Sequence, residues 1–227
     1  MSDQEQRNLN EIPKIINSGE PHMALVFLLD TSGSMSGPPI DSLNRGLNRF
    51  KEEVIKNKET RDILDIAIIE FNSYHRVVQE WVPVEYMNTV NLVATGGTSM
   101  SPAIREALKM VDERSRFYQR SGTTPYKPWV FLVSDGAPED DITAVANEIK
   151  AMETKGKVSF RSLGVPGYDE APLRQLSGEK VFALVGADFT SFFNWVAKSM
   201  RSVSESSPGE KPQPVAVEGN LKIPDWD

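Results

Sequence analysis

The chain has 227 residues, a formal net charge of -7, and 39% hydrophobic and 25% charged residues. That is enough for one domain with a sizeable core, too apolar for wholesale disorder, and too acidic for a broadly basic nucleic-acid surface. There is no cysteine, which excludes a disulfide framework and a thiolate zinc site and fits a reducing compartment. The longest apolar runs have strand length, so no membrane span is expected. Met1 to Asn10 is polar and acidic, unlike a signal peptide; the expectation is a soluble, cytoplasmic, microbial protein.

Residues 1–21 read as an approach segment, with Ile12, Ile15 and Ile16 packing on the sheet edge. Met23 to Leu29 is an unbroken apolar run and predicts a buried central strand ending in Asp30. Hydroxyls and glycines follow, in Thr31-Ser32-Gly33-Ser34-Met35-Ser36-Gly37. Pro38-Pro39 then opens an amphipathic helix with Ile40, Leu43, Leu47, Phe50 and Val54 on one face. Leu64 to Phe71 predicts the second strand and His75 to Val82 the third; only Asn72-Ser73-Tyr74 separates them, so they should pair antiparallel at a sheet edge.

A long connection, 83–97, leads to Gly96-Gly97-Thr98. Ser101 is expected to cap a helix that starts at Pro102 and turns Ile104, Ala107, Leu108 and Val111 inward. After a turn-rich loop, Trp129 to Ser134 predicts the fourth strand, followed by Asp135-Gly136. Glu139, Asp140 and Asp141 should open the next helix, their charge offsetting its positive dipole end. Lys157 to Leu163 and Lys180 to Val185 predict two more strands flanking a short helix, Pro172 to Leu176. Asp188 should cap a last helix carrying Phe189, Phe192, Phe193, Val196 and Met200. From Ser204 the composition turns to Ser, Pro, Glu and Gly, predicting a flexible tail over 204–227 whose end, Leu221 to Asp227, mixes apolar anchors with acids.

The alternation of strands and helices places the loops after each strand at one edge of an open sheet, where ligands bind. A carboxylate with hydroxyls two and four residues on, in a loop that glycines allow to fold back, is a hard-oxygen donor set for a small divalent cation. Asp30, Ser32 and Ser34 with Thr98 and Asp135 resemble the metal-ion-dependent adhesion site of von Willebrand factor A domains: Asp-x-Ser-x-Ser, a distant Thr, a distant Asp. The resemblance spans residues 22–203. It implies a doubly wound, Rossmann-like α/β fold of about six mostly parallel strands with one antiparallel edge and helices on both faces.

The resemblance also implies metal ligands at Asp30, Ser32, Ser34, Thr98 and Asp135, with Mg2+ as the ion and Mn2+ or Ca2+ as alternatives. A protein partner would supply a carboxylate to that ion; nucleic acid and membrane are not expected partners. The Phe27 to Met35 start and the Val133 to Pro138 run further resemble bacterial TerY-like, tellurite-resistance-associated proteins. That implies a stress-response cluster with a Ser/Thr kinase and a PP2C-type, metal-dependent phosphatase as partners.

The rival class is a magnesium-dependent phosphotransferase with Asp30 as nucleophile. It lacks the second acid expected two residues on, where Ser32 stands. The hydrolase elbow, the phosphate-binding loop and the dinucleotide fingerprint are absent from the sequence. No catalytic residue is therefore expected. A scaffold with a vestigial site is the third reading.

Overall fold

The computed structural model describes residues 19–135 and 137–222. Ile12, Ile15 and Ile16, Gly136, and the segment from Ile223 to Asp227 lie outside the described residues. The strands are β1 (Met23–Asp30), β2 (Leu64–Phe71), β3 (His75–Pro83), β4 (Trp129–Ser134), β5 (Ser159–Gly164), β6 (Val181–Leu184) and β7 (Leu221–Lys222). They form one sheet in the order β3-β2-β1-β4-β5-β6-β7. β1 pairs parallel with β2 and β4, β4 with β5, and β5 with β6; β3 and β7 are antiparallel. Both edges are thus antiparallel, where the sequence pattern indicated one, because the second comes from Leu221 and Lys222 in the presumed tail.

The helices are α1 (Pro38–Val54), α2 (Lys58–Ile63), α3 (Met100–Arg120), α4 (Thr143–Thr154), α5 (Glu170–Ser177) and α6 (Thr190–Ser204). Every residue of β1 is buried, so alternate side chains feed two cores. Met23, Leu25, Phe27 and Leu29 pack with the inward faces of α1 and α6. Val26 and Leu28 pack with those of α3, α4 and α5. This explains why the strand reads as a continuous apolar run. On the α1/α6 side, Phe27 meets Phe50 and Phe193 edge-on, at 5.2 and 5.3 Å between ring centroids. Gly46 permits that packing, since a Cβ there would lie 2.5 Å from Cδ2 of Phe193.

Residues 205–222 lie against this core. Trp195 Nε1 donates to the Val215 carbonyl (3.2 Å), Ser202 Oγ to the Gln213 carbonyl (2.8 Å), and Val215, Val217 and Leu221 pack on the apolar cluster. Three apolar residues spread through a polar segment are what seat it, although its average composition predicts a flexible tail.

At the amino end of the sheet, buried Asp65 accepts from Arg114 Nη2 (2.6 Å) and the Tyr118 hydroxyl (2.5 Å), with His22 Nδ1 at 3.8 Å. Burial, first of all, and the neighbouring Asp65 charge push the Tyr118 hydroxyl well above its ordinary range. No helix among the described residues is long and apolar enough to cross a membrane.

Candidate metal-binding edge

Parallel pairing brings the carboxyl ends of β1, β2 and β4 side by side, with Asp30 opposite Phe71 and Leu29 opposite Val133. Asp30 is fully buried there. The Ser32 amide donates to its Oδ1 (2.8 Å) and the Ser134 hydroxyl to its Oδ2 (2.6 Å). Burial is the main reason its carboxyl is pushed up to about 6; the bonds from Ser134 and Ser32 oppose that, and the charge of nearby Asp135 adds to it. Ser32 is buried and its Oγ lies 3.0 Å from Oγ of Ser34, which reaches the surface in a single 3-10 turn, Gly33–Met35.

The loop before α3 is fastened to this turn. Thr95 N donates to the Thr31 carbonyl (2.7 Å) and Gly33 N to the Gly96 carbonyl (2.9 Å). Gly96 has φ +73°, a conformation that suits glycine. Upstream, the side-chain amides of Asn44 and Asn48 on α1 each bond both N–H and C=O, of Leu92 and Val90 respectively. The 83–97 connection is therefore held along α1 to where Thr98 is buried beside the edge. The Thr98 carbonyl accepts from Glu139 N (2.8 Å), tying the loop after β4 to the loop before α3.

Asp135 is half-buried, and its Oδ1 is enclosed with no hydrogen-bond partner among the described residues. An enclosed carboxylate oxygen without a donor, next to a second buried carboxylate, leaves negative charge uncompensated. The other residues of the expected set, Ser32, Ser34 and Thr98, carry neutral hydroxyls. Such an all-oxygen set fits a hard divalent cation. Among the described residues no group of three or more His, Cys, Asp or Glu is placed to hold a metal; the set here is two acids with hydroxyls.

Two expectations nearby are corrected. Ser101 does not cap α3: the helix begins at Met100, and the Asp140 carboxylate accepts from both Met100 N (2.8 Å) and Ser101 N (2.7 Å). Asp140 thus serves the dipole end of α3 and not that of its own helix, which starts only at Thr143 and takes Asp141 on Thr143 N (2.8 Å). Asp188 does accept from Thr190 N (3.0 Å) at the start of α6; the Thr190 side chain first, and then this amide, hold its carboxyl below the usual range.

Sequence reasoning passed over three contributors. Ser134 comes next to Asp30 through the pairing of β4 with β1, a neighbour relation that only the structure shows. Asn72 and Ser73 were read only as a turn. Asn72 Nδ2 donates to Thr31 Oγ1 (3.2 Å), and Ser73 Oγ accepts from Gly97 N (2.8 Å).

The von Willebrand factor type A domain profile matches residues 24–197. The chain belongs to that family. No curated protein matches this A domain. Solved structures do, at identities that speak to fold alone. The pilus adhesin SpaC of Lactobacillus rhamnosus GG aligns at TM-score 0.66 and 15% identity over 81% of this chain and 30% of SpaC. The vWF domain of the pilus tip protein Mfa5 of Porphyromonas gingivalis aligns at 0.62 and 11%, over 82% of this chain and 97% of that one. The manganese-loaded TRAP protein of Plasmodium vivax aligns at 0.57 and 19%, over 79% and 73%. The A domain spans about a third of the adhesin it resembles.

Proposed function

We propose that this A domain is a metal-dependent protein-binding module, in which Asp30, Ser32, Ser34, Thr98 and Asp135 hold a divalent cation, Mg2+ in the first instance. The observation that carries this reading is the pair of adjacent acids, Asp30 wholly buried and held by the Ser134 and Ser32 hydroxyls, and Asp135 with an enclosed oxygen that has no hydrogen-bond partner among the described residues. The manganese-loaded state of TRAP, a protein of the same fold, supports it. Bound there, the cation supplies an electrophilic position that a carboxylate from a protein partner completes. This chain's own residues hold that edge in shape: Ser134 and the Ser32 amide fix Asp30, and the Gly33–Gly96 and Thr31–Thr95 bonds fix the hydroxyl-bearing loops. Full burial of Asp30 also argues against its acting as a phosphorylated nucleophile.

Within the family we place the chain with the TerY-like, tellurite-resistance-associated proteins, acting in the cytoplasm with a Ser/Thr kinase and a PP2C-type phosphatase. What supports this finer reading is the pair of runs at Phe27 to Met35 and Val133 to Pro138. The test is retention of partners from the native lysate on the intact protein with Mg2+ or with chelator, alongside Asp30→Ala. A kinase or phosphatase retained only by the wild type in Mg2+ is the expected result. The same partners in every condition would show that the operative surface lies elsewhere.

A further inference from the structure

The most exposed large apolar side chains among the described residues are Tyr74 at 82%, Val93 at 68% and Val185 at 56%. All three sit at the carboxyl edge of the sheet: Tyr74 in the β2–β3 turn after Phe71, Val185 directly after β6, and Val93 on the connection that climbs α1 to Thr31. Tyr74 and Val93 flank the candidate cation edge itself, and both are presented on backbone that is pinned down.

Around Tyr74, Asn72 N donates to the Tyr74 carbonyl (2.7 Å) and Tyr74 N to Asn72 Oδ1 (3.1 Å). Asn72 and Ser73 meanwhile bond Thr31, Gly97 and Ser99. Val93 follows Leu92, which is forked by Asn44, and precedes Thr95, which bonds Thr31. Each is thus two residues from a group bonded to Thr31, the neighbour of Asp30. An exposed aromatic on a pre-ordered turn loses little entropy on contact, the property of residues that dominate interfaces. The third side of the edge is acidic: the Glu139 carboxylate lies against Gly97, so close that a Cβ there would meet its Oε2 at 2.2 Å.

We propose that Tyr74 and Val93 form an apolar rim that selects, among acidic partner segments, those carrying an aliphatic or aromatic side chain beside a single acid. Glu139, with Asp30 and Asp135 beneath, disfavours segments with runs of acids. The proposal rests on the metal-bridged reading above and names the kind of partner that site takes.

The test uses the full chain and an array of nine-residue peptides with one central Asp flanked by Leu and Phe, by Ser and Gly, or by further Asp and Glu, probed in Mg2+ and in chelator. The wild type is expected to retain the Leu- and Phe-flanked peptides about tenfold over the others, in Mg2+ only. Tyr74→Ser and Val93→Ser should each erode that preference while leaving Mg2+ uptake unchanged, and Tyr74→Phe should keep it. Equal retention of all flanks, or a preference that survives the double Ser variant, overturns the rim with the metal site intact. If no Asp peptide is retained in Mg2+ above chelator, the metal-bridged reading fails and the rim with it.

Discussion

Asp30 and Asp65 are the same residue type on adjacent strands, at 0% and 1% exposure, at opposite ends of the sheet. Asp65 is electrically complete, because a guanidinium lies at 2.6 Å and a phenol at 2.5 Å. Asp30 accepts from the Ser32 amide and from the neutral hydroxyls of Ser134 and Ser32, and the charge acting on it, that of Asp135, is of its own sign. The difference separates an acid that builds the fold from one that, in the function proposed above, takes a cation. Burial alone does not tell them apart; the sign of what surrounds each does.

That contrast can be broken from either end. Arg114→Ala strands a buried carboxylate and removes a side chain stacked near Trp81, Phe117 and Tyr118. Urea unfolding should show a loss of about 3 to 5 kcal/mol. The stabilisation that Mg2+ gives should be unaffected. At the other end, Mg2+ at a hundredfold excess over its dissociation constant should raise wild-type stability by about 2.7 kcal/mol. Thermal melts would register this as a shift of roughly 5 to 10 °C for a chain of this size. Asp135→Ala should abolish that shift.

The next effect is smaller and depends on pH. In chelator the folded-state carboxyl of Asp30 titrates at about 6 against an ordinary 3.8. A raised acid favours the fold while it is protonated in both states, below about pH 4, and that contribution is lost as pH rises through about 6. A shift of this size is worth at most about 3 kcal/mol. Asp30→Asn should therefore be more stable than wild type by about 1 to 2 kcal/mol at pH 7.5 in chelator, since the amide oxygen satisfies some but not all of the donors on Asp30. Melts at pH 5 should show the two proteins drawing together. Least of all, Asp140→Ala removes the acceptor for two amides of α3 and should cost about 1 kcal/mol without altering the Mg2+ response.

How much of this could be read in the sequence follows the same divide. β1, β2 and β4 were legible because strands buried on both faces must be apolar throughout, and Asp30 with Ser32 and Ser34 was legible because a five-residue loop carries its chemistry locally. Pairings made across long separations were not. Ser134 meets Asp30 across 104 residues, and Asp140 caps a helix 40 residues before it. β7 is two residues in a segment whose average composition speaks for solvent, and only the placement of Val215, Val217 and Leu221 on the core reveals it. Tyr74 looked like an ordinary turn residue until its exposure and the bonds beneath it could be seen.

The central claim is that Asp30 and Asp135 await a cation whereas Asp65 does not. Calorimetric titration of Mn2+ and Mg2+ into wild type, Asp30→Asn and Asp135→Ala, each checked for native circular dichroism, tests it most directly. The account predicts one ion per wild-type chain and loss of that uptake in both variants with the fold retained. Equal uptake by all three proteins, or none by the wild type at millimolar metal, would contradict it.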